Sequence, residues 1–120
     1  MSPTSDIEIH DDRERGLLQA RAGGAEGEVV GYIQYFVLDA PQRALVPVHT
    51  IVEPEHEGKG IAGSLARELY GIAARETIAV APLCPFVVRW AERHPGEAPA
   101  APAELLLAAK EALEADPGKW

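Results

Sequence analysis

Two glycines in the middle of this sequence separate two kinds of hydrophobic pattern. Gly58 and Gly60 lie in the segment Glu57-Gly58-Lys59-Gly60. Ahead of them the apolar residues form short alternating or β-branched runs, and behind them the apolar residues recur with a helical period. A chain of 120 residues can bury one hydrophobic core. We therefore expect a strand-rich first part that passes into a helix at these glycines.

Four segments ahead of the glycines predict strands, at residues 6–10, 16–21, 28–38 and 43–52. Gly23-Gly24 is a turn signal before the third of them. Because the connections are short, we expect an antiparallel meander. Pro47 lies inside the fourth segment and has no N–H to donate, so it marks an edge, a bulge or the end of strand pairing.

Behind the glycines, one apolar stripe predicts a helix over 61–75; it consists of Ile61, Leu65, Leu69 and Ile72. Residues 77–83 are short and fully apolar, the pattern of a buried central strand. Pro85 fits the first position of a further helix over 86–94.

The composition changes after residue 95. Residues 96–102 read as a linker of proline and alanine, and 102–115 have high helix propensity. We predict a main domain over 1–95, followed by a linker and a C-terminal helix over 96–120. This helix has three possible placements: docked on the core, against a second copy in a homodimer, or mobile.

Composition excludes several classes of protein. Nineteen acidic and 11 basic residues give a net charge of −8 without a basic stripe, which argues against a nucleic-acid partner. No apolar run approaches the roughly 20 residues of a membrane span, and no secretory signal is expected. Cys84 is the single cysteine, so we expect no intramolecular disulfide, no multi-cysteine zinc site and a cytoplasmic location. His10 and His56 have no partner in the sequence that would suggest another metal site.

The segment 49–64, HTIVEPEHEGKGIAGS, is a candidate anion site. A strand end, a glycine turn and a helix start follow one another, and the unpaired N–H groups at such a helix start attract phosphate. Glycines at 58, 60 and 63 allow close approach to the backbone. The alternative is a plain tight turn. The spacing does not match the nucleotide P-loop.

Three blocks of this sequence together resemble small single-domain GNAT acetyltransferases, the YjdJ-like or N-acetyltransferase-domain-containing-1 group. The blocks are HTIVEPEHEGKGIAGSLA at 49–66, APLCPFV at 81–87 and RHP at 93–95. The family's cofactor signature, Arg/Gln-x-x-Gly-x-Gly/Ala, falls on residues 57–62. The resemblance covers residues 6–95.

The resemblance implies an α+β fold with a mixed sheet of about five strands, one helix after strand four and another after strand five. Strands four and five splay apart, and acetyl-CoA lies between them with its thioester near Cys84. Its pantetheine would pair with the backbone of strand four and its pyrophosphate with the amides of 58–64. The implied cofactor-binding residues are Thr50, Ile51, Val52, Glu57, Gly58, Lys59, Gly60, Ile61, Ala62, Gly63, Ser64, Pro85, Phe86 and Arg89.

Two departures from the family pattern bear on function. Glu57 occupies a position that usually carries Arg or Gln, close to Glu53 and Glu55, and only Lys59 offsets this charge. We expect weaker cofactor affinity. The helix over 86–93 also lacks the tyrosine that many GNATs use as general acid, and Trp90 lies near that position.

Two residues are candidates for catalysis. Cys84 is either a small buried residue at a strand end or a thiol at a helix N-terminus, where it would carry acetyl covalently or hydrogen-bond near the thioester. His49 is either a packed strand residue or the general base, since histidine titrates near about 6.5 when unperturbed.

The resemblance implies acyl transfer from acetyl-CoA to an amine: a small amine, a polyamine or a protein amino group. Two other hypotheses stay open. A non-catalytic CoA-binding module would bind the cofactor without turnover. An interaction protein that has lost the ligand would use its C-terminal helix as the contact.

Overall fold

The computed structural model describes residues 7–23 and 27–116, which form one mixed sheet with helices on both faces. The sheet order is β1-β2-β3-β4-β5. Its strands are β1 Ile7–Asp12, β2 Leu17–Ala22, β3 Glu28–Leu38, β4 Ala44–Val52 and β5 Ala79–Val80. The helices are α1 Ile61–Glu76, α2 Pro85–Arg93 and α3 Ala103–Ala115, and a 3-10 turn spans Pro54–His56.

The predicted meander is confirmed. Strands β1 to β4 pair with their neighbours in antiparallel fashion, and β5 pairs with β4 in parallel, which makes the sheet mixed. Strand and helix boundaries agree with the sequence patterns within about two residues, except at the fifth strand. Asp6 of the predicted first strand and Gly24 of the predicted turn lie outside the described residues.

The fifth strand differs from its prediction as a buried central strand over 77–83. Only Ala79 and Val80 form ladder pairs, and β5 lies at the edge of the sheet. Residues 77–83 are apolar because helices cover this segment on both faces of the sheet. Val80 packs in the cluster that contains α1, while Ala81 packs with Leu105 of α3.

Helix α1 buries the predicted stripe against one face of the sheet. Ile61, Leu65, Leu69 and Ile72 are all at most 7% exposed, which confirms the helical pattern. Burial of four such side chains contributes roughly 1.5–3 kcal/mol each. The helix that positions the glycine segment is therefore anchored along its whole length.

Helix α3 covers the opposite face of the sheet. Leu105 and Ala109 are fully buried beside Ala44 and Val46 of β4. Of the three placements left open by the sequence, the helix takes the docked one. Ala98, in the predicted linker, is also buried. None of the helices in the described part of the chain has the length and hydrophobicity needed to cross a membrane.

The β1–β2 turn is held against the rest of the fold by one glycine and a polar network. Gly16 has a φ of +66°, and its carbonyl accepts the Tyr35 N–H at 2.8 Å. The buried Tyr35 hydroxyl donates to Asp11 at 2.5 Å. Arg13 donates to both carboxylate oxygens of Glu76 at 2.8 and 2.6 Å, and this pair lowers the pKa of Glu76.

Gly16→Ala tests this docking. A Cβ at this position would lie 2.1 Å from the Tyr35 carbonyl oxygen, on a backbone with positive φ. We expect the free energy of unfolding, measured by urea denaturation, to fall by about 2–4 kcal/mol. The matched control is Gly96→Ala, where a Cβ would meet nothing within 4 Å and the expected change is within about 0.5 kcal/mol. Equal effects of the two substitutions would contradict this account.

Candidate functional site

Strand β4 is irregular on both of its edges at Pro47. Towards β3, Gln34 pairs with His49 and Tyr35 pairs with Pro47, so Val48 is an extra, bulged residue. Towards β5, the Pro47 carbonyl accepts the N–H groups of Leu83 at 3.1 Å and Cys84 at 3.0 Å. The sequence left an edge, a bulge or the end of pairing open at Pro47, and the structure has both a bulge and the end of pairing.

Beyond Pro47 the two strands separate. Only Ala44 and Leu45 of β4 form ladder pairs with β5, and no described strand pairs with that edge of residues 48–52. The chain instead turns at Cys84 into α2, with Pro85 in the first helical position as predicted. The fold therefore leaves an open edge of β4 backbone next to the N-terminus of α2.

The glycine segment forms the entry to α1. Gly58 and Gly60 have φ values of +81° and +78°, a conformation that other residues rarely adopt, and a Cβ on either would meet nothing within 4 Å. Gly60 is the N-cap residue, and no side chain caps the helix. The first-turn N–H groups of α1 therefore lack a side-chain acceptor, and they carry the positive end of the helix dipole.

A pocket of about 380 Å³ joins the start of α1 to β4 and α2. It contains nine of the fourteen residues predicted to bind the cofactor, together with His56, which the sequence analysis missed. Its lining residues are Thr50, Val52, His56, Glu57, Gly58, Gly60, Ile61, Ala62, Gly63 and Phe86. We call this pocket the β4–α1 groove.

Five predicted cofactor residues do not line the groove. Ile51 is 50% exposed, because neighbouring side chains of a strand point to opposite faces. The Ser64 amide donates to the Gly60 carbonyl at 3.0 Å, so it is already used within the helix. Lys59, Pro85 and Arg89 are exposed near the groove without lining it.

Cys84 lies beside the groove rather than in it. Its side chain is 4% exposed, and Sγ is 3.2 Å from Oγ1 of Thr50, with either atom able to donate. Its carbonyl accepts the Val88 N–H at 3.0 Å, which starts α2. Cys84 is thus both buried and at the start of a helix, two descriptions that the sequence analysis treated as alternatives.

The structure does not bring His49 to Cys84. His49 is exposed and shares its face of the sheet with Ile51, whereas Thr50 and Val52 face the groove. The two candidate catalytic residues therefore lie on opposite faces of the sheet.

Trp90 packs beneath the start of α1, a contact that the sequence analysis missed. A Cβ on Gly63 would lie 3.5 Å from Nε1 of Trp90. The Trp90 ring stacks on Tyr70 with centroids 5.9 Å apart and on His94 at 4.2 Å. His94, the C-cap residue of α2, donates from Nδ1 to the Trp90 carbonyl at 2.8 Å. The position suggested for a tyrosine is thus part of the α1–α2 interface.

Among solved structures, two of the most similar are acetyltransferases by name. One is a ribosomal-protein-alanine N-acetyltransferase from Brucella melitensis biovar Abortus 2308, with a TM-score of 0.53 and 28% identity over 72% of this chain and 62% of that one. The other is a protein named as an acetyl transferase from Pyrococcus furiosus, with a TM-score of 0.50 and 19% identity over 72% and 61%. This chain spans about three fifths of their length. No curated protein matches the sequence.

The family comparison agrees with this fold. The model of the family described as GCN5-related N-acetyl-transferase matches residues 19–100, which include β3, β4, α1, β5 and α2. The match takes in well over half of the chain and every residue that lines the groove. This chain therefore belongs to the GCN5-related N-acetyltransferase family, and its α+β architecture is the fold that the sequence resemblance implied.

Proposed function

We propose that this chain is an acetyl-CoA-dependent N-acetyltransferase that transfers an acetyl group to an amine. One observation carries the proposal: the uncapped start of α1 and the open edge of β4 border the same groove. These two features suit the two halves of the cofactor. We also assign the chain to the YjdJ-like or N-acetyltransferase-domain-containing-1 group, on its three sequence blocks, and to the cytoplasm.

The residues present fit coenzyme A. Backbone N–H groups of Ile61, Ala62 and Gly63 would hold the pyrophosphate, since a helix N-terminus favours negative charge. The backbone of 50–52 would pair with the amides of the pantetheine, as an added strand would. Glu57 lines the same groove and opposes the phosphate charge, so we infer lower affinity than an Arg or Gln would give.

The acceptor would reach the thioester from the face of the sheet that carries His49. The acceptor would pass from one face to the other through the gap beyond Pro47, because no described strand closes this gap. His49 would accept a proton from the amine while the amine nitrogen attacks the thioester carbonyl carbon. A C–N bond replaces the C–S bond, and CoA leaves as the thiolate.

Cys84 would act on the thioester side of the sheet. Its thiol and the Thr50 hydroxyl form a hydrogen-bonded pair beside the groove. Such a pair can donate a hydrogen bond to the oxygen or sulfur on which charge develops. Bound acetyl-CoA supplies the activated acyl group, so the protein needs to orient it and exclude water. A covalent acetyl-Cys84 is the alternative role of the same thiol.

A non-catalytic CoA-binding module is the second candidate. Glu57 in the groove favours it, as does the α2 sequence, which has Trp90 instead of a tyrosine and buries it against Tyr70. This protein would bind CoA without turning over any amine. The interaction protein without a ligand would show no binding at all.

Ala62→Glu tests cofactor binding at the start of α1. Ala62 lines the groove in the first turn of the helix, where a carboxylate favours the fold but repels a phosphate. Wild-type protein with CoA at 100 times its dissociation constant should gain about 2.7 kcal/mol of stability. We expect Ala62→Glu to abolish this gain in thermal unfolding. The control, Ala103→Glu, adds the same charge at the exposed first residue of α3 and should keep the gain.

Cys84→Ser tests the role of the thiol. We expect kcat to fall by about 10- to 100-fold while CoA affinity changes little, because the thiol acts on developing charge rather than on the phosphates. Turnover against an amine panel and the thermal shift with CoA measure the two quantities. An equal loss of both, or no loss of either, would exclude the catalytic role.

His49→Gln tests the general base. For wild-type protein we expect kcat/KM to rise with pH as the general base loses its proton. The variant should lose this rise and most of the rate. His10→Gln is the matched control, since His10 is an exposed histidine on β1. An unchanged pH profile in His49→Gln would refute the assignment.

A further inference from the structure

The described part of the chain contains a second pocket, separate from the β4–α1 groove. Its volume is about 390 Å³, and it shares no lining residue with the groove. It lies between α1, the outer side of α2 and the segment that leads into α3. Tyr70, Val88, Ala91, Ala98, Ala101 and Leu106 form its main walls. The family match ends at residue 100, so Ala101 and Leu106 are supplied by the C-terminal segment.

The walls of this pocket are held by backbone hydrogen bonds. The Ala98 N–H donates to the His94 carbonyl at 2.9 Å, and the Leu106 N–H donates to the Pro102 carbonyl at 3.1 Å. Prolines at 82, 95 and 99 also border the pocket and restrict its backbone. The cavity is therefore formed before any ligand arrives, and its volume falls within the range of small-molecule sites.

Tyr70 brings an unused polar group to this pocket. Its side chain is 5% exposed and stacks on Trp90. Among residues 7–23 and 27–116 no hydrogen bond to its hydroxyl is found, in contrast to Tyr35, which donates to Asp11. Burial raises the pKa of Tyr70 to about 12, so its proton stays in place at neutral pH. The hydroxyl oxygen itself keeps some contact with solvent, so it is open to a hydrogen-bond acceptor on a ligand.

We propose that this pocket binds a compact, uncharged and mostly apolar molecule that offers one hydrogen-bond acceptor to the Tyr70 hydroxyl. The alanine, valine, leucine and proline walls suit an apolar body. The single charged lining residue is Glu92, an exposed carboxylate that repels anions. This exposed carboxylate would add little binding energy for a cation. A cation would also be repelled by the proton of the Tyr70 hydroxyl. A neutral ketone, ester or amide supplies an acceptor for the hydroxyl proton, which no described residue accepts.

Acetophenone and ethylbenzene form a matched pair of probes for this site. The two molecules have nearly the same size, and acetophenone alone has an acceptor oxygen. We expect both to shift the NMR signals of Ala98, Ala101 and Tyr70, with acetophenone binding about three- to tenfold more tightly, the worth of one net hydrogen bond. Titration up to the solubility limit without shifts at these residues would overturn the proposal.

Tyr70→Phe separates ligand binding from folding. Because the hydroxyl has no protein partner among the described residues, the Tm of the free variant should be unchanged or higher. The preference for acetophenone over ethylbenzene should disappear. A lower Tm, or a preference that persists, would show that the hydroxyl does not serve a ligand.

Ala101→Leu fills the pocket and supplies the second variant. Ala101 is half-buried, so the larger side chain has room to enter the cavity. We expect it to weaken both probes equally while CoA still raises the Tm through the β4–α1 groove. Full binding of both probes to this variant would overturn the assignment. Since neither probe contacts the groove residues, failure here leaves acetyl transfer untouched, and failure of CoA binding leaves this site untouched.

Discussion

The sheet opens at Pro47 because a proline nitrogen has no proton to donate and its carbonyl is already shared. That carbonyl accepts the N–H groups of both Leu83 and Cys84, and these are the last backbone hydrogen bonds found between β4 and the described chain that follows β5. Pro47 also has no N–H to offer a further ladder bond, and the chain that follows Leu83 turns into α2 at Pro85. The open backbone edge of β4 begins at this position, and the Cys84 N–H is bonded here just before the chain enters α2.

The second requirement of the site is a precise position for the start of α1. Ile61, its first residue, packs on Gly31, where a Cβ would lie 3.3 Å from the Ile61 Cγ2 atom. Gly63, two residues further along, packs on Trp90. Two glycines thus let the helix approach the sheet and α2 closely. These contacts fix the position of the groove wall that α1 forms, although neither Gly31 nor Trp90 lines the groove.

The sequence patterns predicted those features that depend on neighbouring residues. The strand-to-helix change at Gly58, the buried stripe of α1 and the start of α2 at Pro85 are local, and the structure confirms them. Apolar composition could not tell whether residues 77–83 are buried by strands or by helices. Most of the residues that line the groove are ones that the resemblance to GNAT proteins implied. The stacking of Trp90 on Tyr70 and the pocket beside Tyr70 could not be predicted, because they arise from contacts between distant segments.

The bulge at Val48 also sets the phase of β4. Leu45 and Val52 are seven positions apart, yet both pack on the α1 side of the sheet. In an unbroken strand an odd separation places two side chains on opposite faces. The extra residue reverses the alternation halfway along β4. Thr50 faces the groove and His49 faces away from it for this reason, so loss of a single residue at 48 would exchange the two faces without altering any side chain's chemistry.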